Sequence, residues 1–202
     1  MGYDIFVIAL MVLSVIAAIL FVVARDRLRR RDEGDVSSVW SDYARERGFT
    51  FVPPTGEWPN RSVPRLSARD GDLQVVLVRE GEQVLTRMEL RPRESLLGRM
   101  HVTTESSAAA NLPEVVLTEE VLDPALSVFS KPPQLAETVI TSEVARALSG
   151  FRMGGDLSFE YERGRIVLEW KGGERNGARL DEARRVAEMI DRAMSAAFVG
   201  AS

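Results

Sequence analysis

Residues 5–24 form an uninterrupted apolar run of 20 residues in which Ser14 is the single polar side chain. A helix rises about 1.5 Å per residue, so such a run reaches roughly 30 Å, the hydrocarbon thickness of a bilayer. Arg25, Arg27, Arg29, Arg30 and Arg31 follow at once, whereas the flank before the run, Met1 to Asp4, has no basic side chain. Basic residues beside a membrane segment stay on the cytoplasmic side. The sequence therefore predicts a single-pass signal-anchor, a transmembrane helix in the cell (inner) membrane with its N-terminus out and the rest of the chain cytoplasmic. The five arginines would lie at the membrane surface and fix that topology. A cleaved signal peptide fits less well, because the n-region lacks a basic residue and the apolar run is long. Myristoylation at Gly2 is disfavoured because Phe6 stands where that signal has Ser or Thr.

Composition removes several function classes. The chain carries a net charge of -4; Asp4 holds one negative charge and residues 25–31 a net four positive ones, which leaves -7 on residues 32–202. An acidic body lacks the clustered Lys/Arg face that supplies most nucleic-acid affinity, so no nucleic-acid partner is expected. The sequence has no cysteine, which excludes disulfides, thiolate catalysis and cysteine-ligated metals.

The soluble part, 32–202, is long enough for one ordinary domain. After a polar link at Asp32 to Asp35, the residues Val36, Val39, Trp40, Tyr43 and Ala44 recur at helical spacing, with Ser37 as a candidate N-cap and Gly48 as a stop. Phe49 to Val52 reads as a short strand. From Leu66 the period becomes two: Asp70-Gly71 marks a hairpin, and strands follow at 73–79, 84–90 and 99–104. Residues 105–113 read as a surface loop and possible subdomain joint. Short strands are expected at 115–117 and 126–129, then a helical stretch to Leu148 with a break at Thr141-Ser142. Asp156 to Trp170 reads as a hairpin joined near Arg163-Gly164, and a final helix over 178–198 carries the stripe Leu180, Ala183, Ala187, Ile190, Met194 and Ala197. The fold class is α+β: an N-terminal transmembrane helix (1–31 with its basic flank), then antiparallel sheet or sheets covered by helices on one face.

Trp40, Tyr43, Ala44, Gly48, Phe49 and Phe51, then Leu66, Gly71, Leu73 and Val75, and later Leu122-Asp123 through Val128, give the chain a pattern that resembles a loose group of uncharacterised bacterial single-pass membrane proteins with an α+β soluble domain. The quoted residues are packing and turn positions, so the resemblance implies a fold and an anchor but no reaction and no site residue. The pattern departs from the group over 130–142, where one uninterrupted helix is more usual.

Chemistry is sparse. His101 is the one histidine, so a multi-histidine metal centre is ruled out, and no Gly-x-Ser-x-Gly elbow accompanies it. Gly154-Gly155 and Gly172-Gly173 lack the strand-loop-helix context of a phosphate loop. The acidic pairs Glu119-Glu120, Glu160/Glu162 and Asp181-Glu182 read as solvated faces or a helix first turn. Trp58 sits in a loop and reads as tucked onto the core. No catalytic, cofactor-binding or metal residue is assigned. The function expected is a membrane-anchored cytoplasmic interaction or scaffolding module whose partners are the lipid bilayer and an unknown protein at the membrane. The alternatives are a tethered hydrolase or transferase with a carboxylate or serine site, and a ligand-sensing module.

Overall fold

The computed structural model spans residues 1–202 and describes all but 1, 57–61, 81–82, 105–110, 118–121, 153–155 and 201–202; for 2–9, 25–26, 28–33 and 199–200 it describes helical backbone alone. Trp58, Glu119-Glu120, Gly154-Gly155 and most of the loop expected as a joint at 105–113 lie outside the described residues. Helix α1 (Gly2–Arg47) leads into strands β1 (Thr50–Val52), β2 (Arg65–Ser67), β3 (Leu73–Glu80), β4 (Gln83–Leu90), β5 (Arg99–Thr103) and β6 (Ser127–Lys131). Helices α2 (Pro133–Val139) and α3 (Ser142–Arg152), the hairpin β7 (Leu157–Glu162) and β8 (Arg165–Lys171), and helix α4 (Gly177–Gly200) complete the chain.

The strands form one antiparallel sheet in the order β1-β2-β3-β4-β8-β7-β5-β6. The hairpins arise where the sequence places them, because their turns use residues that tolerate positive φ: Gly71 at 77°, and Arg163 and Gly164 at 52° and 68°. The two halves join at β4 and β8, where Met88 lies opposite Leu168 and Thr86 opposite Trp170. Burial alternates along the strands, Leu73, Val75 and Leu77 of β3 facing inward and Gln74, Val76 and Val78 outward, so the sheet has one dry face and one open face.

Helices pack on the dry face. The stripe Leu180, Ala183, Ala187, Ile190 and Met194 of α4 is buried, and Val36, Trp40, Tyr43 and Ala44 of α1 dock beside it. Both stripes fall where the helical period puts them, save that Val39 and Ala197 are half-buried. The approach of α1 is close: a Cβ at Gly173 would come within 2.8 Å of Val36 Cγ2, so glycine is what lets the link after β8 lie against the helix. The helical stretch after Pro132-Pro133 does break before Ser142, giving α2 and α3. Residues 115–117 form no strand; they are held by the isolated bridge of Glu114 to Phe129.

The α+β class and the antiparallel sheet stand, but the transmembrane helix does not. Among the described residues no helix is long and apolar enough to cross a membrane. The signal-anchor, the single-pass membrane assignment and the inner-membrane, N-terminus-out localisation are corrected accordingly. The polar link is corrected too. Helix α1 continues through Asp32 to Asp35 without a break, so Ser37 is an interior residue and caps nothing. The single Gly34 costs about 1 kcal/mol in a helix interior, and cooperative propagation from the turns on both sides outweighs it.

Candidate functional site

The C-terminal end of α1 is fastened to α4 by charged and polar groups at one point. Tyr43 donates its hydroxyl to Asp181 Oδ1 at 3.0 Å, and the Arg47 guanidinium pairs with Asp181 Oδ2 at 2.7 Å. The bond from Arg47 holds the Asp181 carboxyl below the usual aspartate range against the opposing effect of burial, and the Tyr43 hydroxyl adds to it. Burial, then the bond to Asp181, push the Tyr43 phenol up. Gly48, at φ 73°, turns the chain into β1 and lays the Phe49 ring against Tyr43 at 5.5 Å.

This turn forms one wall of a cleft of about 650 Å³ whose other walls are the β2–β3 turn, the end of β4 and the middle of α4. The walls are tied to each other. Arg91 donates its backbone N–H to Asp72 O at 2.8 Å, and Arg93 donates its backbone N–H to Asp191 Oδ1 at 2.9 Å. The Arg184 guanidinium lies 5.7 Å from the Phe49 ring centroid and pairs with Glu188 at 2.7 Å. Leu73, Leu90 and Phe49 supply an apolar floor. Among the described residues six arginines line the cleft against four carboxylates, so this lining is net positive on a body that is net negative.

A second, shallower hollow of about 280 Å³ opens on the other face of the sheet and contains His101. Folding brings Ser158 Oγ to 2.8 Å from His101 Nε2, a partner that the sequence alone does not place there. The two are diagonal neighbours, since His101 stands opposite Glu160 and Thr103 opposite Ser158. Burial pulls the imidazole pKa down, and the carboxylates of Glu160 and Glu169 pull it part of the way back. A neutral imidazole beside a serine hydroxyl is half of a nucleophilic pair. The remainder of the unit is not assembled among the described residues. No carboxylate is bonded to the second ring nitrogen, and β7 is paired on both sides, so the backbone N–H groups around Ser158 are committed to the ladder and none is left to hold an oxyanion. The pair is a cross-strand hydrogen bond of the sheet's open face.

The other residues singled out by sequence are structural. Glu162 pairs with Arg99 at 2.9 Å, Glu160 is exposed, and Asp181 is the clasp just described. Asp123, in the segment running to Val128, accepts from the Ala125 N–H at 2.9 Å and pairs with Arg152; these two contacts lower its pKa and lock the turn onto α3. Of the five topology arginines, Arg27 is exposed and the side chains of Arg25, Arg29, Arg30 and Arg31 lie outside the described residues. Among the described residues no three His, Asp or Glu side chains converge on a point that would hold a metal ion. The arginine cleft was missed because Arg47, Arg69, Arg91 and Arg192 are spread over 145 positions of sequence and meet only through the order of the strands.

No family model matches the chain, and no curated protein matches it. Among solved structures, the crystal structure of the mycobacterial trehalose monomycolate transport factor A, TtfA, is similar at a TM-score of 0.52 and 13% identity, covering 79% of this chain and 94% of that one. At that identity the likeness is one of fold.

Proposed function

We propose that the chain is an accessory interaction module that works against lipid, in a role related to lipid transport, rather than an enzyme. The observation that carries this reading is the bare apolar length of α1. Its large side chains from Leu10 to Val23 are 45% to 65% exposed, on all sides of the helix, whereas elsewhere among the described residues the exposed large apolar side chains are the scattered Val52, Leu97, Val116 and Phe198. Soluble proteins rarely leave a contiguous apolar patch of more than a few hundred Å² uncovered, and acyl chains supply the cover such a surface needs. The fold it shares with a trehalose monomycolate transport factor lends support by analogy, which is a statement about architecture and not about a site.

Flotation with vesicles of phosphatidylethanolamine and phosphatidylglycerol tests the reading. The full chain is expected to rise with the vesicles, and a Leu13→Glu, Ile16→Glu, Leu20→Glu variant is expected to stay behind. A wild-type chain that remains at the bottom of the gradient overturns it; light scattering on that fraction would then show whether a second copy covers α1 instead.

A further inference from the structure

We propose that the arginine-lined cleft between the β2–β3 turn, the end of β4 and α4 binds a phosphate-bearing ligand with an adjoining apolar group. Arg69, Arg91, Arg93 and Arg192 line it, and among the described residues none of the four guanidinium groups is paired with a carboxylate. Like charges gathered in a cavity oppose folding unless something gains from them, and here they stand on a chain of net charge -4. The concentration of positive charge is therefore local to the cleft rather than a property of the surface.

The shape fits the chemistry. A guanidinium presents a planar fork that meets phosphate oxygens two at a time, which a lysine ammonium does not. All six cations of the cleft are arginines. The backbone at two of them is fixed, since the N–H groups of Arg91 and Arg93 donate to Asp72 O and Asp191 Oδ1, and the Arg69 guanidinium lies over Gly48, with Nη2 3.9 Å from where a Cβ would sit. Ser195 Oγ, also on the cleft wall, has no hydrogen-bond partner among the described residues. Phe49, Leu73 and Leu90 beneath the charges favour a ligand with an apolar portion beside its phosphate, and about 650 Å³ is ample for a small molecule or a lipid headgroup. A headgroup and a free phosphorylated compound share that chemistry.

Calorimetric titration of the full chain in neutral detergent and phosphate-free, low-salt buffer tests the site, with inorganic pyrophosphate as one probe and dihexanoyl phosphatidylglycerol, against dihexanoyl phosphatidylcholine, as the other. Saturable binding of one equivalent is expected, weakened at least tenfold by Arg69→Gln with Arg192→Gln and unchanged by Arg146→Gln on α3. Pyrophosphate binding alone assigns the site to a free phosphorylated ligand, and binding of the glycerol lipid alone assigns it to a headgroup. If the double variant does not fold, Arg69→Lys keeps the charge, removes the fork and should still weaken binding about threefold. Absence of saturable binding of both probes, or equal binding by a folded double variant, overturns the proposal. Flotation that fails while pyrophosphate binding persists would remove the lipid reading of α1 and leave the cleft standing.

Discussion

The indole N–H of Trp40 donates to the backbone carbonyl of Glu174 at 3.0 Å, joining the middle of α1 to the link between β8 and α4. The Glu174 carboxylate is shared as well. Its Oε2 accepts from the Trp170 indole at 2.9 Å and faces Arg179 at 3.5 Å, its Oε1 accepts the Asn176 N–H at 2.8 Å, and its own N–H goes to Thr86 Oγ1 at 3.0 Å. One residue of a short glycine-rich link thereby ties α1, β4, β8 and α4 together.

Trp40 is fully buried, so its replacement separates packing from polar contributions. Trp40→Ala should destabilise the protein by about 3 to 5 kcal/mol, and Trp40→Phe, which keeps much of the ring but leaves the carbonyl unpaired, by about 1 to 3 kcal/mol. Urea denaturation followed by circular dichroism measures both. An unchanged midpoint for Trp40→Ala would mean that α1 does not dock on this face.

The clasp of α1 on α4 should depend on acid pH in a defined direction. The Asp181 carboxyl titrates below its ordinary value in the folded chain, chiefly through Arg47, so the stability it contributes is complete above the unfolded value of about 3.9. That contribution is lost as pH falls from there through the lower folded value. Asp181→Asn should flatten this part of the stability curve and lower stability at pH 7. Parallel curves for the two proteins below pH 5 would place the acid sensitivity elsewhere.

His101 should act in the window above that one. Its folded pKa lies below the ordinary 6.5, mainly through burial, so the neutral form is the stable one and the contribution is fully present above about 6.5. As pH drops through that value the unfolded chain takes up a proton before the folded chain does, and stability declines. His101→Gln should remove this decline and, because Gln can still bond Ser158, leave stability at pH 8 within about 1 kcal/mol. Proton-detected titration of the imidazole gives the pKa directly; a value above 6.5 would contradict the burial argument.

Gly98→Ala should be among the most damaging single-methyl changes. Gly98 has φ 130°, and a Cβ there would lie 2.6 Å from Lys131 O and 2.8 Å from Pro132 Cδ, both at the joint of β6 and α2. The backbone region alone costs about 1 to 3 kcal/mol for a non-glycine residue, and the contacts add to it. A fall in thermal midpoint of less than 2 °C would show that this joint yields easily.

Local signals carried much of this fold. The period of two in β3, β4, β7 and β8, the positive-φ turn residues and the stripe of α4 are short-range properties, and each produced the element it implied. Pairing between distant strands has no such signal: nothing in Gln83–Leu90 specifies Arg165–Lys171 as its neighbour, and that pairing is what makes one sheet of two hairpins. Glu174 reads as one charge in a turn, and the arginines of the cleft read as separate solvated residues. Their roles follow from tertiary placement. The polar stretch Asp32 to Asp35 misled for the opposite reason, since its strong local signal said nothing of the helix on either side, which continues through it.

Helix α1 runs 46 residues without a joint, about 69 Å from end to end. Its docked quarter is gripped at Val36, Trp40 and Tyr43, and its last residue is Arg47, at the rim of the cleft. The helical rise puts Val23 about 20 Å beyond Val36, so whatever covers Leu10 to Val23 does so away from the docked face.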